Sequence, residues 1–289
     1  MDSEFAYYSF RKACGTNAHP NQNKFYKWAK KNKFSATDLF PSVKKNKFHK
    51  IDLSVGSKWI GGRKEIEDLD FFQFKIEKLQ KKYPRKVIAG GYLEPRSIYS
   101  STSYDKIGNF GNESRTVHLG LDFWLSPGTK VNSMFDGEVV TSINDEGDKE
   151  YGGLLILKHK VEDFEFYTLY GHNTIRSVLK NKIGAKIKKG DIIAEIANYP
   201  ENGNWAPHLH FQIMLSTLNY KIDFPGVCYY NQIEIWKDLC PNPNLLFKSL
   251  ALNYTNDKSD DELIKYRKKH LGKSLKLHYE EPINIVRGE

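Results

Sequence analysis

The chain has 289 residues, enough for one large domain or two small ones with a sizeable core. Hydrophobic residues make up 39% and charged residues 27%, a globular balance that argues against a disordered or low-complexity chain. The 44 Lys and Arg outnumber the 35 Asp and Glu, giving a net charge of +9, but the basic residues are scattered lysines without a recognition motif, so no nucleic-acid partner is expected.

Residues 1–60 are rich in Lys and Asn, with isolated aromatics; Phe25, Trp28 and Ala29 have helical spacing and predict a short helix over 22–32. Ile66, Leu69, Phe72, Ile76, Leu79 and Tyr83 form one face of a helix over 64–83 that Pro84 stops, and this face is expected to pack on the domain that follows. From about Val87, short apolar segments alternate with Gly, Asn and Pro turns. Strands are predicted over 115–125, 129–134, 136–143, 153–160, 164–170, 191–197 and 208–215. "SPGTKVNSMFDGEVVTS" and "IGAKIKKGDIIAEIA" look alike and are expected to be two copies of one hairpin. After Pro225 the pattern weakens; Ser259 and Glu262 form a capping box opening a helix, "DDELIKYRKKHL", that Gly272 ends. The expected fold is mainly β, a compact antiparallel sandwich with helical N- and C-terminal extensions. The expected division is an extension over 1–86, a β-rich domain over 87–250, and a helix with an extended tail over 251–289 that links to a further domain.

Cys14, Cys228 and Cys240 lack metal-ligand spacing and are expected to be reduced thiols. No apolar run approaches the ~20 residues of a membrane helix, and "MDSEFAYYSF" is not a secretory signal, so a cytoplasmic location is expected, with a cell-envelope role open if the chain is part of a longer one.

The chemistry concentrates in four of nine histidines. In "APHLHFQI", His208 and His210 share one strand face with Cα atoms about 7 Å apart. In "HLGLD", His118 and Asp122 would be about 13 Å apart on a flat strand, whereas an imidazole and a carboxylate on one zinc ion span at most roughly 11 Å between Cα atoms. The backbone must therefore bend between them, and Gly120 is the residue expected to permit it. Taken singly, each pair also fits a simpler role: a hydrogen-bonded His–Asp pair, or two half-exposed strand histidines. Together, His118, Asp122 and His210 make a three-ligand set that would hold Zn2+ and leave one position for water. His172, at the end of "FYTLYGHN", and His208 would stay off the metal as catalytic acid/base groups. His159 is expected at the surface or in a structural role. His19, His49, His270 and His278 are expected to be solvated, and Asp136, Asp145 and Asp148 to cap turns.

These motifs resemble the LytM/lysostaphin-type zinc metallopeptidases of family M23. The family pattern is H-x(3)-D, a histidine closing a Y-x-H strand, and H-x-H; "HLGLD", "YGH" and "HLH" match it over roughly 115–215. The resemblance implies a metalloendopeptidase acting on a peptide or a peptidoglycan cross-link, with zinc on His118, Asp122 and His210 and with His172 and His208 acting on water and the transition state. Trp205 and Ala206 stand where the family often has small hydroxyl residues and glycine, and Gln212 where a glutamate is common. "IDLSVGS", "YLEPRSIYSS", "PENGNWAPHLHFQI" and "CPNPNLL" resemble, more narrowly, the M23-like domain fused ahead of class-III aminotransferases, and "LKLHYEEPINIVRGE" resembles the entry of that aminotransferase. That implies a fused or associated aminotransferase partner, and with it the alternative of a non-catalytic module in a multidomain enzyme. A lipoyl- or biotinyl-type carrier domain is disfavoured, because the lysines of "IKKGDII" precede the turn instead of sitting at its tip.

Overall fold

The structure is a computed structural model and describes residues 3–44, 47–57, 59, 63–99, 104–108, 111–220, 222 and 224–253. The expected helix "DDELIKYRKKHL", the tail, His270 and His278 lie outside the described residues.

The chain opens with α1 (Ser3–Ala13), α2 (Gln22–Lys31), α3 (Ala36–Leu39), β1 (Lys47–Lys50), α4 (Arg63–Glu67), α5 (Leu69–Lys82) and β2 (Lys86–Gly90). The β-rich part follows as β3 (Asp105–Gly108), β4 (Gly111–Ser114), β5 (Val117–His118), β6 (Leu121–Trp124), β7 (Lys130–Asn132), β8 (Gly137–Asp145), β9 (Gly152–Val161) and β10 (Phe164–Asn173). Then come α6 (Ile175–Val178), β11 (Lys186–Ile187), β12 (Ile192–Glu195), β13 (Leu209–Met214), β14 (Val227–Cys228), α7 (Ile233–Leu239) and α8 (Asn244–Phe247). An eight-stranded sheet in the order β1-β2-β6-β13-β10-β9-β8-β11 dominates, flanked by three two-stranded ladders. The fold is thus mainly β with helices toward the termini. The large sheet is mixed, because the N-terminal segment adds β1 parallel to β2 at its edge.

α2 forms as its spacing predicts, burying Phe25, Trp28 and Ala29; Phe25 and Trp28 meet Phe166 of β10 edge-on or tilted, with ring centroids 5.3–5.4 Å apart. The single helix expected over 64–83 is two. Asp68 interrupts it and caps the second, its side chain accepting from Phe71 N at 3.0 Å, so local capping chemistry outweighs the continuous apolar stripe. The stripe packs as expected: Ile66, Phe72 and Ile76 join Ile88, Trp124, Trp205 and Ala206 in a second apolar cluster beside the main core.

The two look-alike segments are not hairpins. The first strand of each pairs with the second strand of the other, β7 with β12 and β8 with β11. Cross-strand ion pairs mark the exchange, Lys130 with Glu195 and Lys186 with Glu138. The cause is the corner between β7 and β8. Met134 and Phe135 turn into the core there, and Phe135 stacks edge-on against Trp28, Phe34 and Phe166, which sends the two strands into different sheets.

His19 is buried against Tyr8, not solvated, because α1 and α2 fold back over the domain. His49 is half-buried and stacks on Tyr83 at 3.7 Å. His159 is fully buried and structural: its Nδ1 donates to the Asp136 carbonyl at 2.9 Å and its Nε2 lies 2.6 Å from the Thr168 hydroxyl. Asp145 does serve a turn, accepting from Tyr151 N at 3.1 Å. The three cysteines are free thiols, Cys14 exposed and Cys228 and Cys240 buried. No described helix is long and apolar enough to cross a membrane.

Candidate metal centre

The strand expected over 115–125 is two strands in two ladders. His118 ends β5, which pairs with β14, whereas Asp122 lies in β6 of the large sheet. The break at Leu119–Gly120 brings the two side chains together. Gly120 has its own reason to be glycine: a Cβ there would sit 2.7 Å from the His210 ring and 2.8 Å from the Phe211 carbonyl. Its requirement is room for the imidazole more than backbone freedom. His210 is the direct cross-strand partner of Asp122 in the β6·β13 ladder, so antiparallel register places this pair side by side.

The result is a compact triangle. His118 Nε2 lies 2.8 Å from His210 Nδ1, and each lies 3.2 Å from Asp122 Oδ1. The outer nitrogens fix the tautomers. His118 Nδ1 donates to the Gly91 carbonyl at 2.9 Å, so Nε2 carries a lone pair. His210 Nε2 donates to Gln212 Oε1 at 2.9 Å, so Nδ1 carries one too. The Gln212 amide cannot be reversed, because its nitrogen donates to the Pro225 carbonyl at 3.2 Å and contacts Cys240 Sγ at 3.4 Å. Three acceptors therefore converge with no donor between them. One proton would satisfy a single pair, whereas a metal cation satisfies all three. The two edges to Asp122 are close to the roughly 3.3 Å expected between ligands with metal bonds of about 2.0–2.1 Å in a tetrahedral site, and the His118–His210 edge is shorter. The donor set, two imidazoles and one carboxylate, suits zinc.

His172 and His208 stand beside the triangle. His208 Nε2 is 3.7 Å from Asp122 Oδ1, and the two rings have centroids 4.4 Å apart. Each donates its Nδ1 proton to a backbone carbonyl, His172 to Asn202 at 2.9 Å and His208 to Ala206 at 2.7 Å, which leaves Nε2 as a proton acceptor. His172 has a left-handed backbone, φ 65°, at a register shift near the end of β10; its N–H donates to the Tyr151 carbonyl and its carbonyl accepts from Ala197 N, so both neighbours hold the unusual conformation. His208 stacks on Trp124 with centroids 5.5 Å apart. The five residues are 0–6% exposed. Burial lowers the pKa of His118 to about 3, helped by the Arg96 guanidinium; burial also lowers His208, and together with its histidine neighbours takes His172 well below the ordinary imidazole value. Burial opposes ionisation of Asp122, but His118 and Arg96 outweigh it and hold its carboxyl well below the usual carboxylate range.

All five residues singled out from the sequence thus share one cleft, which measures about 750 Å³ with the solvent at its mouth. Trp205 lines it and anchors its own loop, exchanging hydrogen bonds with Asn202. Two residues behind Asp122 were not singled out as site residues. Arg96 donates from Nη1 to Asp122 Oδ2 at 2.7 Å and from Nε to Glu94 Oε2 at 2.8 Å. Their signal was available: in "YLEPR" an acid and a base two residues apart flank a proline, and extended backbone points both to one side.

The model of peptidase family M23 matches residues 116–222, which contain the whole five-residue set. Among solved structures, a zinc-containing peptidase from Vibrio cholerae is 28% identical over 34% of this chain and 27% of its own, with a TM-score of 0.27. The catalytic domain of lysostaphin, an antimicrobial peptidase from Staphylococcus simulans, is 23% identical over 42% of this chain and 80% of its own, with a TM-score of 0.28. A catalytic-domain variant of a prophage-encoded M23 protein from Enterococcus faecalis is 22% identical over 40% of this chain and 78% of its own, with a TM-score of 0.27. The chain therefore spans only about a quarter of the Vibrio cholerae peptidase it matches. The family match and the H-x(3)-D, Y-x-H and H-x-H motifs fall on the same stretch, and residues 116–222 are a domain of peptidase family M23.

Proposed function

We propose that this domain is a zinc-dependent peptide hydrolase, an endopeptidase acting on a peptidoglycan cross-link or another peptide, with His118, Asp122 and His210 as ligands and His172 and His208 as catalytic acid/base groups. The observation that carries the reading is the convergence of three buried acceptors, two imidazole nitrogens whose ring protons are donated elsewhere and one carboxylate oxygen. When bound, zinc would supply Lewis-acid polarisation of a carbonyl and lower the pKa of water to about 7. The protein's own groups do the rest. Burial keeps His208 and His172 neutral near pH 7, so each Nε2 can take a proton from attacking water and return it to the leaving amine. Once protonated, the same Nε2–H can donate to a developing oxyanion. The Asn202 and Ala206 carbonyls hold both rings in the required tautomer.

Elemental analysis of the purified protein tests the site without a substrate. About one zinc per chain is expected, falling to near zero in His118→Ala and His210→Ala, while His208→Ala keeps the metal and loses hydrolysis of peptides and cell-wall fragments. A wild-type chain with no metal that remains metal-free on adding zinc would end the proposal.

A further inference from the structure

We propose that Arg96 is a positioning residue for Asp122: braced by Glu94, its guanidinium holds one carboxylate oxygen and leaves the other to face the cation. This rests on the metal reading above. Arg96 and Glu94 arrive through the segment 93–96, which runs beside β5: Leu93 N donates to the His118 carbonyl at 2.8 Å, His118 N to the Glu94 carbonyl at 3.1 Å and Arg96 N to the Thr116 carbonyl at 2.8 Å. The backbone that carries the first histidine thus also delivers the arginine.

The guanidinium has little freedom. Nη1 is 2.7 Å from Asp122 Oδ2 and 3.4 Å from the Tyr99 hydroxyl, and Nε is 2.8 Å from Glu94 Oε2. Glu94 is fixed at its other oxygen, where Oε1 accepts from Leu53 N at 3.1 Å. Nη2 has no hydrogen-bond partner among the described residues and packs into the space a side chain at residue 91 would fill; a Cβ on Gly91 would lie 1.9 Å from it. Gly91, with φ 109°, therefore serves twice: its carbonyl orients His118 and its missing side chain seats Arg96.

Two consequences follow for the ligand. A carboxylate without the arginine could rotate and offer either oxygen, or both, to a metal ion. With Oδ2 occupied, only Oδ1 reaches the imidazoles. The Arg96 guanidinium is shared between Glu94 and Asp122, so its charge is not spent on Asp122 alone. The N-terminal segment is part of this bracing, because Leu53 holds Glu94.

The test is zinc affinity of the full chain by chelator competition, together with the visible spectrum of the cobalt(II)-substituted protein. Removing a partner of this kind typically costs 10–100-fold in metal affinity. Arg96→Gln is expected to weaken zinc binding by about that factor and to shift the cobalt bands as the carboxylate changes its mode of ligation. Arg96→Lys, which keeps the charge but loses the planar fork that reaches Glu94 and Asp122 together, should fall between Arg96→Gln and wild type. A folded Arg96→Gln with wild-type affinity and bands overturns the proposal. Should Arg96→Gln fail to fold, Arg96→Lys decides it: weakened binding supports the role, and unchanged affinity and bands overturn it. Failure of the wild-type chain to bind zinc or cobalt would instead refute the metal reading itself.

Discussion

The site depends on groups that hold its histidines in place. Gln212 fixes the tautomer of His210, Gly91 fixes that of His118, and the Asn202 and Ala206 carbonyls do the same for His172 and His208. Gly120 provides room, and its substitution is a sharp test. In Gly120→Ala the new methyl group meets the His210 ring and the Phe211 carbonyl, and only the ring can give way. Overpacking of this kind costs about 1–3 kcal/mol, so a lowered denaturation midpoint is expected together with weaker metal retention. Wild-type retention in a folded Gly120→Ala would show that the contact is not needed. At this scale the sequence marked the ligands far more plainly than their supports. The histidines and Asp122 stand out by residue type and spacing, whereas Gln212, Glu94 and Arg96 gain their roles only from neighbours 2, 41 and 26 residues away, respectively.

Among the elements, α4 and α5 show how the segment ahead of the β-rich part becomes part of the cleft wall. Ile66, Leu69 and Phe72 line the cleft, and Ile76 is fully buried in the cluster that contains Trp124 and Trp205. Ile76→Ala should cost about 2–5 kcal/mol, read as a lower midpoint in denaturant unfolding. A loss below about 0.5 kcal/mol, typical of a surface site, would mean the helix is not docked as described. The helical face was legible because its period survives the interruption at Asp68. The partner of each strand was not. "SPGTKVNSMFDGEVVTS" and "IGAKIKKGDIIAEIA" announce strands and glycine turns, but strand pairing is a long-range choice. Here the buried Phe135 corner and the reciprocal ladders decided it.

For the whole molecule, burial of histidines makes stability depend on pH. His19 and His159 lie outside the cleft, and burial lowers both to about 4 from an ordinary value of 6.5. Glu4 opposes that shift at His19 while Arg11 reinforces it; Asp136 opposes it at His159. The folded state resists protonation that the unfolded chain accepts, so stability is fully present above about pH 6.5 and falls as the pH drops toward 4. For His159 the loss approaches about 3 kcal/mol once the pH reaches 4. Denaturant midpoints measured at pH 7 and pH 5 should therefore differ, the lower pH giving the lower midpoint, and equal midpoints would contradict the burial of these rings.

The sequence by itself determined the β-rich character, helical structure at α2 and along most of 64–83, and five polar residues that meet in one cleft. It could do so because alternation, helical period and the spacing within H-x(3)-D and H-x-H are local properties of the chain. Only the tertiary structure decided which acceptors face one another, that β5 and β6 belong to different ladders, and that an arginine from the segment before them grips the carboxylate. Those outcomes depend on register and on contacts between residues far apart in the chain, where packing and hydrogen-bond satisfaction select among arrangements that local patterns leave equivalent.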